Sequence, residues 1–163
     1  MFKWLFGPTR QDALAANAQA AAADPTFSLE LEGLIETLEK ALEPQDRGFT
    51  AQRIGARGKA AAKAIPALLN VLQNDKGADA RAGAAGALGD IEVGTTEVVG
   101  ALIKAIQQDT EADVRLNAII SLGQLGPNAK TAIPLLKKVE SDSNESKEIR
   151  FRAGVNARIL EQE

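Results

Sequence analysis

Cysteine, histidine and tyrosine are all missing from this sequence of 163 residues. Without thiolates or imidazoles the chain cannot build a zinc finger, a Cys- or His-dependent active site or a disulfide staple. Aromatic residues make up only 4% of the chain, so the core must be made of close-packed small residues with Leu and Ile. A core of that kind suits helices that approach each other closely. A basic surplus is missing as well, since the net charge is −3 and the isoelectric point lies near 5.2. Neutralising phosphates calls for an excess of Lys and Arg, so no nucleic-acid partner is expected. Nor does any apolar run approach the roughly 20 residues of a membrane-spanning helix. The opening Met1-Phe-Lys-Trp-Leu-Phe-Gly-Pro falls short of the apolar core of about 7–15 residues that marks a secretory signal. The expectation is a retained, cytoplasmic protein, peripheral to a membrane at most.

What the chain does have is self-similarity. A shift of 34 residues lays Leu34, Ile35 and Leu38 on Leu68, Leu69 and Leu72, and these on Leu102, Ile103 and Ile106. The same shift lays Arg47 on Arg81 and Arg115, and Ile54-Gly55 on Leu88-Gly89 and Leu122-Gly123. At twice the shift, Ala64-Ile65-Pro66 falls on Ala132-Ile133-Pro134. One offset that satisfies apolar, charged and glycine positions together marks a repeat architecture. A fourth unit opens at Ile133 with Leu135, Leu136 and Val139, and its Arg150 comes 35 residues after Arg115, which places one inserted residue in the Ser141-Asp-Ser-Asn-Glu-Ser loop.

Each unit holds two apolar segments. The i, i+1, i+4 spacing of the first is one stripe of an amphipathic helix. The second begins after a polar turn such as Ala78-Asp79 or Ala112-Asp113, where Asp caps or favours a helix N-terminus. It is expected to end at Gly89, Gly123 or Gly126, since glycine takes the left-handed closing conformation without a Cβ penalty. Ala84, Ala85, Ala118 and Ala157 inside the second helices let neighbouring units pack closely. Alternating Val/Ile/Thr stretches are missing, so no strand is predicted.

The run Ala112-Asp-Val-Arg-Leu-Asn-Ala-Ile-Ile-Ser-Leu-Gly-Gln-Leu-Gly, followed by Pro127-Asn-Ala-Lys-Thr-Ala-Ile-Pro-Leu-Leu, resembles HEAT repeats of the short kind found in phycobilisome lyases and many bacterial scaffolds. The resemblance covers about residues 31 to 160 and is best from 65 to 140. Tetratricopeptide repeats share the 34-residue period, but their Trp…Leu-Gly…Tyr pattern is absent, since Trp4 is the one tryptophan. The resemblance implies an all-α, right-handed alpha-alpha superhelix of about four two-helix repeats. The expected organisation is an aromatic segment over residues 1–8, an Ala-rich helix or cap over 9–25, and the repeat domain over 26–163.

The arginine series Arg47, Arg81, Arg115, Arg150 is the most conspicuous charged feature. Forked guanidinium donors suit a ladder that recognises carboxylates or phosphates. In HEAT-type proteins, however, such an arginine commonly bonds to an Asp or to backbone carbonyls of an adjacent repeat. Asp75 and Asp109 recur at the same offset, so we read the series as structural. The second helices of such solenoids line a concave face that binds partners. The residues expected on that face include Phe49, Asn117 and Arg152 at one level, Arg53, Ser121 and Asn156 at the next, and Gln124 beyond them.

Three of the six aromatic residues, Phe2, Trp4 and Phe6, lie in the first six positions. Burying each is worth about 1.5–3 kcal/mol, so they are expected to be covered. Three covers stay open: the apolar end of the first repeat, a groove on a partner, or a shallow membrane contact through residues 1–6. The last is a weak anchor, because membrane attachment usually needs a second signal.

Nothing in the sequence assembles an active site. Glu30, Glu32, Glu36 and Glu39 form a solvated helix face with no partner base, and Gly55 and Gly58 lack the strand and the Gly-Lys-Ser/Thr ending of a phosphate loop. No metal, cofactor or catalytic residue is expected. The sequence points to a non-catalytic scaffold or adaptor that holds a protein partner on the solenoid face, through the aromatic segment, or through both. The alternative, implied by the resemblance alone, is a bilin lyase-like subunit or a chromophore-protein assembly factor. A HEAT-like DNA glycosylase is disfavoured by the acidic balance and the short chain.

Overall fold

The computed structural model describes residues 25–162, which form eight α-helices, two 3-10 segments and no strand. Residues 1–24 lie outside the described residues, and with them Phe2, Trp4, Phe6 and the Ala-rich stretch. The helices are α1 (Pro25–Lys40), α2 (Pro44–Gly55), α3 (Ile65–Asn74), α4 (Ala78–Asp90), α5 (Thr96–Gln108), α6 (Ala112–Gln124), α7 (Ile133–Ser141) and α8 (Lys147–Gln162). They pair as four antiparallel units, α1/α2, α3/α4, α5/α6 and α7/α8. The odd helices form one layer and the even helices a second, with α2, α4, α6 and α8 packed in succession.

Local chemistry explains the helix starts. Proline in the first turn of α2, α3 and α7 has no N–H to leave unsatisfied. The Thr95 hydroxyl caps α5 by accepting from the Val98 N–H at 3.2 Å, and the Ser146 hydroxyl caps α8 by accepting from the Ile149 N–H at 3.2 Å. Asp79 and Asp113 make no cap bond. They sit in the first turns of α4 and α6, where a carboxylate favours the positive end of the helix dipole.

The core lies between the two layers. Of the stripe that the 34-residue shift superposed, Leu34, Leu38, Leu68, Leu69, Leu72, Leu102 and Ile106 are buried, and Ile35 and Ile103 are partly buried against them. Helix α4 carries Ala80, Ala84, Ala85 and Ala87 inside because α2, α3 and α6 all press on it. Small residues suit such a helix, since each side facing a neighbour must let that neighbour come near.

Glycine works differently from expectation at two of the three positions proposed to end second helices. Gly89 and Gly123 lie inside α4 and α6 and are not left-handed. They are small because the next repeat touches them: a methyl group on Gly89 would lie 2.5 Å from the Ser121 hydroxyl, and one on Gly123 2.7 Å from the Asn156 amide. Among the described residues the left-handed ones are Gly58, Glu92 and Gly126, with φ of 58°, 54° and 56°, themselves spaced by 34. After Gly58 and Gly126 the chain runs through 3-10 segments, Gly58–Ala64 and Gly126–Ala132, that lead into α3 and α7.

Candidate functional site

Neighbouring repeats are joined by an arginine clasp. The Arg47 guanidinium donates to both carboxylate oxygens of Asp75, at 2.6 and 2.7 Å, and its third nitrogen donates to the carbonyls of Ala41 and Leu42. Arg81 repeats the arrangement on Asp109 at 2.7 and 2.9 Å, with the carbonyls of Asp75 and Lys76. Arg115 does so on Glu145 at 2.8 and 2.9 Å, with the carbonyls of Asp109 and Thr110. Each arginine therefore closes the turn of its own repeat and grips the carboxylate of the following one in the bidentate geometry that arginine favours. Asp75 and Asp109 also accept from the N–H of Gly77 and Glu111.

Charge follows geometry. The hydrogen bond from Arg47 holds the Asp75 carboxyl below its ordinary range against the opposing effect of burial, helped by the Gly77 N–H and the charges of Arg47 and Arg81. At Asp109 burial is the largest single influence and opposes the shift. The Arg81 and Glu111 hydrogen bonds, with the charges of Arg81 and Arg115, still bring the carboxyl down. These side chains are committed to packing, as expected for Arg47, Arg81 and Arg115.

One open groove lies on the even-numbered helices. It has a volume of about 630 Å³ and crosses α2, α4 and α6. Phe49, Gln52, Asn117, Ile120 and Gln124 line it together with four carboxylates, Asp79, Asp90, Glu111 and Asp113, and among the described residues no Lys or Arg lines it. Its floor is made of Gly48, Ala82, Gly83, Gly86 and Ala87. Phe49 is 64% exposed, a large apolar group held in water at the groove edge. Gln124 is anchored by donating to Asp90 at 2.9 Å, and Asn117 by donating to the Asp113 carbonyl at 2.8 Å.

Phe49, Asn117 and Gln124 are thus brought together by the fold. Arg53 and Arg152 are exposed on their helices but do not line the groove. Ser121 and Asn156 correct the expectation that they face a partner, for both are buried. The Ser121 hydroxyl donates to the Ala85 carbonyl at 2.8 Å and the Asn156 amide to the Ile119 carbonyl at 2.7 Å, so each ties its helix to the one before. The periodicity could have exposed this, since Ser121 and Asn156 hold the register of Ala87, a core position. Sequence reasoning placed Asp90 at the level of Gln124 on the expected partner face and missed the other three groove carboxylates, Asp79, Glu111 and Asp113. Their signal was the recurrence of acidic residues at second-helix starts, Asp79 with Asp113, read there only as helix-end chemistry.

Among the described residues no group of His, Cys, Asp and Glu could hold a metal ion, and no helix is long and apolar enough to cross a membrane. What remains is an α-helical repeat solenoid whose open groove is acidic and shallow-floored. The HEAT-repeat family model matches residues 65–154, more than half of the chain, and the chain belongs to that family. No curated protein matches the sequence. Among solved structures the fold is similar to that in the complex of CpcE and CpcF of phycocyanin lyase from Nostoc sp. PCC7120. The TM-score is 0.57 at 19% sequence identity, over 87% of this chain and 98% of that one.

Proposed function

We propose that the chain is a subunit of a protein complex and that its groove on α2, α4 and α6 holds a protein partner. The observation that carries the reading is the groove lining: four carboxylates, amide donors and the exposed Phe49, with no cation among the described residues. Such a surface attracts a basic segment and offers an aromatic anchor beside it. A rigid floor of Gly and Ala fits this use, because a preorganised surface loses little freedom on binding. The N-terminal aromatics Phe2, Trp4 and Phe6 belong to the same proposal as a second anchor.

The fold shared with the phycocyanin lyase complex favours the more specific form of this reading over a free-standing scaffold. In that form the chain serves a bilin lyase-like assembly, and its own residues supply recognition of the protein that receives the chromophore. The test is to mix the purified chain with an apo-phycobiliprotein, with and without free bilin. Calorimetry then reads binding, and absorbance reads attached chromophore. Binding of the apoprotein that weakens in Asp90→Lys and Asp113→Lys supports the lyase-type reading. Absence of apoprotein binding overturns it and leaves the partner to be found elsewhere.

A further inference from the structure

The arginine clasp occurs three times with the same polarity, from the arginine of one repeat to a carboxylate on the turn of the next. Arg150 is the fourth member of the series, and its Nε is buried without any hydrogen-bond partner. A buried cationic donor with nothing to accept from it is uncommon in a folded protein. The adjacent Phe151 is 65% exposed. It holds the register of Gly48, Ala82 and Leu116. At Gly48 a side-chain carbon would run into the backbone of Asp79 and Ala80 in the following repeat. Arg150 and Phe151 are therefore the two positions that a following repeat covers elsewhere in the stack.

The other half of α8 is closed. Arg158 holds the register of Gly55, Gly89 and Gly123, where the absence of a side chain admits the following helix. Arg158 donates to Glu140 at 2.9 Å, and Lys137 pairs with Glu161, so charged pairs occupy that half of the end face. A repeat packed like those before it cannot seat over Arg158. The end face is thus differentiated: polar and filled at its C-terminal half, with an unpaired donor and an exposed ring at its N-terminal half.

We propose that the N-terminal half of α8 docks a helical segment of another chain that presents an Asp or Glu on the turn before a helix, with Arg150 as the clasp and Phe151 as the apolar contact beside it. The three internal clasps define the chemistry of the occupant, a carboxylate taken in bidentate form. A second copy of this chain does not repeat the Asp75 and Asp109 clasps in register end to end, because Ala41 stands at their position in the first repeat. This surface is separate from the groove on α2, α4 and α6 and does not depend on what that groove binds.

The test places a photoreactive residue, Phe151→p-benzoylphenylalanine, in the full chain expressed in its source cells, and identifies the cross-linked peptide by mass spectrometry. The expected product joins residue 151 to a segment of a different chain with an Asp or Glu on a turn that leads into a helix. Arg150→Glu in the same background should cut its yield about tenfold or more, since one half of a desolvated charge pair is reversed. Replacing the partner's carboxylate with Arg should restore it. Arg150→Glu should also leave the melting temperature of the free chain unchanged, unlike Arg81→Glu, which breaks a made clasp, while Asp90→Lys in the groove should leave the cross-link intact. The proposal is overturned by the absence of a product, by a product with a second copy or with residues 1–24 of the same chain, by a segment without a carboxylate, or by a yield indifferent to Arg150→Glu.

Discussion

Gly83 and Gly48 meet backbone to backbone: a methyl group on Gly83 would sit 2.5 Å from the carbonyl oxygen of Gly48. That contact sets how closely α4 lies on α2. Gly83→Ala must push the helices apart, and the expected cost is about 1–3 kcal/mol of overpacking. By contrast Gly33 in α1 and Gly100 in α5 have nothing within 4 Å of the place a methyl would occupy. There alanine should stabilise by about 0.5–1 kcal/mol through helix propensity. Thermal melts of the three variants read the sign directly, and a stabilised Gly83→Ala would refute the close-approach reading.

The clasps make the stack sensitive to acid. Asp75 and Asp109 have folded pKa values below their unfolded value of about 3.9. A lowered carboxyl contributes stability that is fully present above the unfolded pKa and is lost as pH falls through the folded one. The melting temperature should therefore hold level from pH 7 to about 5 as far as these groups are concerned, then drop below pH 4. In the double variant Asp75→Asn with Asp109→Asn the acid limb should be shallower and the neutral value lower. Arg81→Ala strands the Asp109 carboxylate and should cost about 3 kcal/mol at pH 7, toward the lower end for breaking a buried pair because both side chains keep some contact with water.

Leu102 is fully buried in the third unit. Leu102→Ala should cost about 2–5 kcal/mol by opening a cavity between the layers. Because each repeat leans on its neighbours, chemical denaturation should show the loss across the whole stack and not in one unit alone.

Much of this fold was legible in the sequence because its constraint is periodic. The Leu34, Leu68, Leu102 stripe and the arginines Arg47, Arg81 and Arg115 each repeat the same environment, so recurrence stands in for structure. The glycines were harder. Gly89 and Gly123 carry the same letter as Gly126, yet they are small to admit a neighbour, whereas Gly126 is small to bend the chain, and the bend position in the middle unit is occupied by Glu92. Ser121 and Asn156 read as surface because they are polar. Only the packing of successive even-numbered helices shows that each finds its hydrogen bond inside the stack, at the same backbone register one repeat back. The groove carboxylates were visible as letters, but three helices had to be laid side by side before Asp79, Asp90, Glu111 and Asp113 became one surface.

Charge on that surface should govern partner capture with little effect on folding. Asp79, Asp90 and Asp113 are exposed, so single changes to Lys should cost no more than about 1–2 kcal/mol in stability, with the larger values at Asp79 and Asp113, where the charge sits at a helix N-terminus. Binding of a basic partner should weaken in each variant and should fall with added salt in the unaltered chain, since exposed charges are screened over about 10 Å at 0.1 M.

The groove is the central claim, and quantitative affinity purification from the source cells tests it most directly. Three baits are compared: the intact chain, the double variant Asp90→Lys with Asp113→Lys, and the chain without residues 1–8. A partner recovered with the intact chain and depleted with the groove variant is the predicted result, whatever the deletion does. A partner recovered equally by the intact chain and the groove variant would contradict the account, and its loss on deletion would assign binding to Phe2, Trp4 and Phe6 instead.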